Sequence, residues 1–395
     1  MPTDFGINLV ASVSGNAGLG VTARSIALAL QRHEVPFVIV DVQHPWGGKL
    51  PLEGIDAPIA ASPEDLRHPI NLYVVQIVAL ETMFRDLPWL LSPRRFHAAS
   101  LWWEASAIPP SWIENLSRFD AVLAGSGFIG QVMANGLVLT PVIEAPHPLA
   151  LPQGIAPDRA RFGLPAGETV FAVSFDPNSD PARKNPFGAI EAFRAAFGAQ
   201  ESGVCLAVRM NHARTPPAQA ILDSMVLAAG GDARIRFLVE PMDYREVLSF
   251  YASSDVYVSL HRGEGLGLGL IESMALGKPV IATAWSGNMS FMDYHCGAPV
   301  RYRLGRVSGN LGFLRPDFTG RHAQWAEPLL DDALHWMRTL HTDSRLRAEL
   351  GAAAKAAIEE HQARAWSRRW IDELAALWRA QAFLPPIAGK FSAAA

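Results

Sequence analysis

The chain has 395 residues, of which 49% are hydrophobic and 18% charged, enough for two domains that each bury a core of their own. Its formal net charge of −4 gives no general attraction to nucleic acid or to an anionic membrane, although a local basic face would be hidden in that sum. The two cysteines, Cys205 and Cys296, lie in apolar or near-apolar surroundings that favour buried free thiols over a disulfide, and a reducing cytoplasm is their natural setting.

The first residues, Met1-Pro2-Thr3-Asp4-Phe5-Gly6, have no basic stretch and no long apolar core, and no run reaches the length of a membrane-spanning helix. Peripheral contact with the inner face of a membrane stays open. Strands are expected near 7–13, 37–41, 71–75, 98–103, 121–124 and 141–145, with helices near 21–31, 110–117 and 128–135 among the connections. That alternation predicts a doubly wound α/β domain. Gly15-Asn16-Ala17-Gly18-Leu19-Gly20 follows the first strand and opens the first helix, the place of a Rossmann phosphate loop. Asp41 closes the second strand, about where a ribose-binding acid would sit. These residues keep a nicotinamide-dependent oxidoreductase open as a reading, beside a purely structural turn. The order G-x-x-G-x-G, however, departs from G-x-G-x-x-G. Leu101-Trp102-Trp103-Glu104 then ends a strand ahead of Pro109-Pro110.

Pro146, Pro148, Pro152 and Pro157 cluster with Gly154 in a span without periodicity, which predicts a hinge or linker. The expected domains are therefore 1–152 and 153–365, followed by a C-terminal helix and tail over 366–395. His147 falls at this crossing, where a lone histidine is as readily structural as functional. The second series has strands near 169–175, 204–210, 234–239, 255–260 and 279–282 and helices near 186–197, 216–228 and 244–251. Two such domains are expected to face each other across a ligand-binding cleft. Arg183-Lys184-Asn185-Pro186 follows the first strand of this series. Fixed cations there would stabilise a departing diphosphate more in the transition state than in the ground state; a solvated basic turn is the plainer reading. A long helical stretch is expected over 343–383, where Trp366, Trp370 and Trp378 need a surface on which to bury.

The richest segment runs from Leu260 to Ala282. A short apolar strand, a turn Gly263-Glu264-Gly265-Leu266-Gly267-Leu268-Gly269 and a helical pattern through Glu272 lead to the strand starting at Pro279. The first N–H groups of a helix lack intrahelical acceptors, and glycines let an anion approach them closely. Glu264 lies in the loop and Glu272 in the early helix, so the two carboxylates can touch different parts of one extended ligand. The alternative is that both are merely solvated and that the glycines only make a tight turn.

The E-x7-E spacing of Glu264 and Glu272, with Glu272-Ser273-Met274-Ala275-Leu276-Gly277-Lys278-Pro279-Val280, resembles the donor site of retaining glycosyltransferases of family 4, the glycosyl transferases group 1, which have the GT-B fold. That resemblance implies two Rossmann-like domains, an acceptor-binding N-terminal one and a donor-binding C-terminal one, with the last helix crossing back to the N-terminal domain. It implies that Glu264 contacts the transferred sugar and Glu272 the ribose hydroxyls, while Gly265, Leu266, Gly267, Leu268 and Gly269 line the sugar and phosphates. Lys184 is similar to the family's diphosphate lysine. The family's arginine near Ser174-Phe175 is missing, which leaves Arg183 or Arg209 to substitute. By the same resemblance Gly18 and Gly20 face the diphosphate, and His147 touches the donor where relatives often have asparagine. Where many members carry a histidine this chain has Trp103, expected to stack on a sugar, and Glu104, expected to bind or deprotonate the acceptor hydroxyl, with a capping or core role as the alternative.

The activity implied is transfer of a hexose-type sugar from a nucleoside-diphosphate sugar to a glycan or lipid-linked acceptor, in bacterial surface polysaccharide assembly. Retention of configuration and catalysis by Glu264, Glu104 and Lys184 belong to the same implication. No Asp-x-Asp motif or metal-ligand spacing occurs, so neither a metal nor another cofactor is expected. A sugar-nucleotide epimerase or hydrolase on the same fold, and a silent nucleotide-sugar-binding protein, remain as alternatives.

Overall fold

The computed structural model describes residues 5–15, 18–42, 50–136, 140–211, 215–307 and 323–381. The chain divides into two units, one formed by Met1–Ala150 with Gln362–Ala395 and the other by Leu151–His361. Against the expected limits at 152 and 365, the divisions fall at 150 and 361.

The first unit is built on six strands: β1 (Ile7–Ala11), β2 (Phe37–Asp41), β3 (Ile70–Gln76), β4 (Phe96–Trp102), β5 (Ala121–Ala124) and β6 (Val142–Glu144). They pair in parallel in the order β2-β1-β3-β4-β5-β6. Strands covered on both faces read as continuous apolar runs rather than alternating ones, and β1 is buried along its whole length. Two buried asparagines of the sheet are hydrogen-bonded, as burial demands. Asn8 donates to the Asn71 side chain at 2.8 Å, and Asn71 donates to the Leu90 carbonyl at 2.8 Å.

The helical stretch expected as one piece over 343–383 is two helices, Ser344–Ala365 and Arg369–Gln381, preceded by a third, Leu330–Thr342; its last residues lie outside those described, as does the tail. The break after residue 365 is a turn in which the Ser367 hydroxyl donates to the Arg364 carbonyl at 2.7 Å. Helix Arg369–Gln381 then inserts Trp370, Ile371 and Leu374 into the core of the first unit beside Ile7, Leu9 and Leu30.

The second unit has β7 (Thr169–Phe175), β8 (Val204–Met210), β9 (Ile235–Leu238), β10 (Val256–Ser259), β11 (Val280–Thr283) and β12 (Ala298–Val300). All pair in parallel, in the order β12-β11-β10-β7-β8-β9. β13 (Tyr302–Arg306) and β14 (Gln324–Pro328) form a separate antiparallel pair. β12, absent from the expected strands, contains Pro299, which cannot donate to a ladder and is accommodated because β12 is an edge. The core of this unit is aromatic: Phe193 and Phe197 meet edge-on at 5.1 Å, with Phe171 beside them. The order of strands reverses between β7 and β10, and in such sheets ligands bind beyond the carboxyl ends of the strands at that point.

Candidate functional site

Beyond the carboxyl end of β10 the chain turns through His261-Arg262-Gly263-Glu264 and enters the helix Leu268–Ala275. Gly267 caps that helix at φ 93°, a left-handed conformation that costs a residue with a side chain energy. Glu264 is only 7% exposed. Its carboxylate accepts from Lys184 Nζ at 2.5 Å and pairs with the Arg183 guanidinium at 3.2 Å. Its backbone is fixed too: the N–H donates to Ser286 Oγ at 2.8 Å and the carbonyl accepts from Gly287 N at 2.9 Å. Burial alone would raise the carboxyl, but the charges of Lys184 and Arg183 outweigh it and pull the group down to about 2. Glu264 is therefore a fixed anion at neutral pH. His261, beneath it, is buried and pushed towards its neutral form. Its Nε2 lies 3.1 Å from the Trp285 carbonyl and 3.1 Å from Asn288 Oδ1, so it orients the turn that carries Glu264.

The cations come from the segment after β7. Asp180 caps the short helix Pro181–Lys184, and Asn185, at φ 52°, caps the next helix, Pro186–Ala196, while donating to the Leu260 carbonyl at 2.8 Å. That bond locks the Lys184 segment to the end of β10. Arg183 donates to the Gly263 carbonyl at 2.8 Å and the Ser179 carbonyl at 2.9 Å, which makes it a brace of the Glu264 loop as well as its counter-ion. Arg209, at the end of β8, is 8% exposed and donates to Ser174 Oγ at 3.0 Å. Its guanidinium thus reaches Ser174 from the neighbouring strand, where the resembling family's arginine would stand. Arg209 Nε is buried without a hydrogen-bond partner.

Glu272 lies on the helix Leu268–Ala275 and is 4% exposed. Burial raises its carboxyl to about 7, against the hydrogen bond from Tyr244 and the charge of Arg209. Tyr244 Oη donates to Glu272 Oε1 at 2.9 Å; the sequence reading missed this residue. Its only sequence signal is the capping box of Asp243 and Glu246, which places Tyr244 first in its helix. Gly265, Leu266 and Gly267 are buried, whereas Leu268 and Gly269 are half-buried, and the N–H groups of these last two belong to a first turn without intrahelical acceptors. Gly269 is needed because a Cβ there would meet the Tyr257 hydroxyl at 2.3 Å.

The remaining expected residues lie in the first unit. Gly18 starts the helix Gly18–Arg32; Asn16 and Ala17 lie outside the described residues. A Cβ on Gly20 would meet the Gly15 carbonyl at 2.0 Å, so Gly20 permits the close approach of helix and loop. Asp41, the residue that an oxidoreductase would use for ribose, accepts instead from Ser14 Oγ at 2.6 Å and Ser14 N at 3.2 Å. Trp103 is 5% exposed, stands edge-on to Trp112 at 5.0 Å and donates to the Ala107 carbonyl at 2.7 Å. His147 is likewise buried, its ring edge-on to Trp102 at 6.1 Å and its carbonyl accepting from Gln362 Nε2 at 3.2 Å. Glu104 stays half-buried just beyond β4.

Residues 180–294 match the family model described as glycosyl transferases group 1. No curated protein sequence matches the chain. Among solved structures the chain is similar to HepE of Anabaena in complex with UDP and glucose, with a TM-score of 0.64 at 14% identity over 94% of this chain and 100% of that one. A sucrose-phosphate synthase of Thermosynechococcus elongatus gives 0.64 at 15% identity over 95% and 98% of the two chains. A glycosyltransferase of Rickettsia africae gives 0.63 at 16% identity over 95% and 99%. At such identities the likeness is one of fold, and that fold is GT-B, two Rossmann-like α/β units with parallel sheets. The segment that carries Lys184, Glu264 and Glu272 lies within the residues that match the glycosyl transferases group 1 model.

Proposed function

We propose that the protein transfers a hexose-type sugar from a nucleoside-diphosphate sugar to a hydroxyl of a glycan or lipid-linked acceptor, with retention of configuration. One observation carries this reading. At the reversal point of the second sheet, Glu264 is an ion-paired anion and Glu272 a buried acid raised to about 7 beside Tyr244. Such a pair suits the two ends of one ligand. The anion accepts from hydroxyls of the transferred sugar. The second carboxylate accepts from a ribose diol, which favours its ionised form.

Lys184, Arg209 and the amides at the start of helix Leu268–Ala275 then face the diphosphate, whose negative charge grows as the glycosidic bond breaks. The acceptor oxygen bonds to the anomeric carbon on the face from which the diphosphate leaves, and a departing phosphate oxygen takes the acceptor proton. Glu104 is assigned to the acceptor hydroxyl, and the first unit to acceptor binding. A cytoplasmic setting and a part in surface polysaccharide assembly belong to the same proposal. Among the described residues no helix is long and apolar enough to cross a membrane.

The structure of the similar Anabaena protein holds UDP and glucose, so UDP-linked hexoses are the first donors to try. Calorimetric titration with UDP, ADP and GDP, followed by proton NMR of fresh product from an α-linked donor, tests the reading. An α-linked product is expected. A β-linkage rejects retention, free sugar alone favours a hydrolase, and an altered donor favours an epimerase.

A further inference from the structure

We propose that Tyr244 is a positioning residue for the donor site, which orients Glu272 and sets its ionisation for the ribose diol. The inference rests on the reading of Glu272 as the ribose-binding acid. Its ground is geometric. Tyr244 Oη donates to Oε1 of Glu272 at 2.9 Å, and among the described residues no hydrogen bond to Oε2 accompanies it. One oxygen is therefore tied to protein and the other is left for a ligand.

The donor is itself held. Tyr244 is the first residue of the helix Tyr244–Ser253, whose start is closed by a capping box: the Asp243 carboxylate accepts from Glu246 N at 2.8 Å, and the Glu246 carboxylate accepts from Asp243 N at 3.1 Å. Such a box fixes the entry of the chain and so the direction of the next side chain. A buried carboxylate with a wrongly turned plane cannot present a lone pair to a diol, so a fixed rotamer lowers the cost of binding.

The groups that face Glu272 come from each neighbouring element. Arg209 at the end of β8 favours the anion. Tyr251 on the helix of Tyr244, and Tyr257 on β10, are buried phenols held neutral, each made harder to ionise by the Glu272 charge. Among the described residues, Tyr244 is the neighbour that donates a hydrogen bond to the Glu272 carboxylate itself. A hydrogen bond to the charged form favours that form. Burial alone disfavours it, and the Tyr244 bond opposes burial.

Consider Tyr244→Phe in the full-length protein. Without ligand, the difference in melting temperature between the parent and Glu272→Gln opens near the unfolded value of about 4.5 and levels off at the pH that is the ligand-free midpoint of folded Glu272. In the Tyr244→Phe background that pH should rise by about one unit. With UDP as the probe, the pH midpoint of affinity should move by the same amount, and affinity at pH 7 should fall about tenfold. An unmoved ligand-free midpoint overturns the role of Tyr244. A moved midpoint together with no binding of UDP, ADP or GDP by the parent overturns the nucleotide reading, and the ribose role with it. Tyr244→Leu controls for packing: an apolar side chain with no donor should behave as Tyr244→Phe does, and a parent-like midpoint would also overturn the assignment.

Discussion

Glu264 and Glu272 share a loop and a helix yet titrate in opposite directions, because two cations outweigh burial at Glu264, whereas at Glu272 burial outweighs the Tyr244 hydrogen bond and the charge of Arg209. Opposed environments of this kind mark distinct roles. Glu264, lowered to about 2, contributes stability above its unfolded value near 4.5, and that contribution is lost as pH falls towards 2. Glu272, raised to about 7, works the other way: its contribution is complete below about 4.5 and is lost as pH rises through 7. Glu272→Gln should therefore raise the melting temperature at pH 8, by an effect on the order of 3 kcal/mol, and leave it nearly unchanged at pH 4.5. A difference from the parent that is flat between these pH values would reject the burial argument. In kinetics, Glu272→Ala should raise the donor KM roughly 10- to 100-fold, the value of hydrogen bonds to a charged group. Glu264→Gln should instead lower kcat, as loss of a transition-state contact does. Parent-like kinetics from both variants would dismiss the site. Because Lys184 and Arg209 are fixed cations, activity should survive EDTA; loss on chelation and recovery with Mg²⁺ or Mn²⁺ would reassign the diphosphate to a metal.

At the scale of elements, the glycine run and its helix are legible in the sequence because local composition writes them: Gly267 must take a positive φ, and a helix must follow. What supports the loop is less legible. Ser286, at φ 76°, and Gly287 come from the turn after β11 and hold the backbone of Glu264; no local pattern announces which turn a distant loop will lean on. Tyr244 is hidden for the same reason, since a helix start meets Glu272 only once the sheet order is fixed. Trp103 is ambiguous for a different reason, because an aromatic at a strand end reads both as a sugar platform and as core. The turn after β11 makes a sharp prediction. A Cβ on Gly287 would meet the Gly265 carbonyl at 2.2 Å, backbone against backbone. Gly287→Ala should therefore cost about 1–3 kcal/mol, as overpacking does, and lower kcat through displacement of Glu264. Parent-like turnover and melting temperature would show that the turn yields freely.

At the scale of the molecule, the chain closes its first unit with its last helix. Trp370 and Leu374 are 3% and 0% exposed, in the same core as Leu9 and Val74 of β1 and β3. Trp366 and Trp378 flank them, the first beneath the Arg32 guanidinium at 5.4 Å and the second 6.0 Å from Phe5. A sheet covered by helices on both faces cannot lose one of them without exposing a hydrophobic surface. The second unit draws its core from residues 171–350 and contains none of this helix. Trp370→Ala should accordingly destabilise the first unit by about 3–5 kcal/mol, the usual cost of emptying an aromatic site in a core. The measurement is limited proteolysis of the full-length variant, with fragments mapped by mass spectrometry. Early cuts are expected within residues 5–150, while the span 151–361 resists and still titrates with nucleoside diphosphate. Cuts that begin in the second unit, or equal resistance in variant and parent, would contradict the account in which the C-terminal helix completes the first unit.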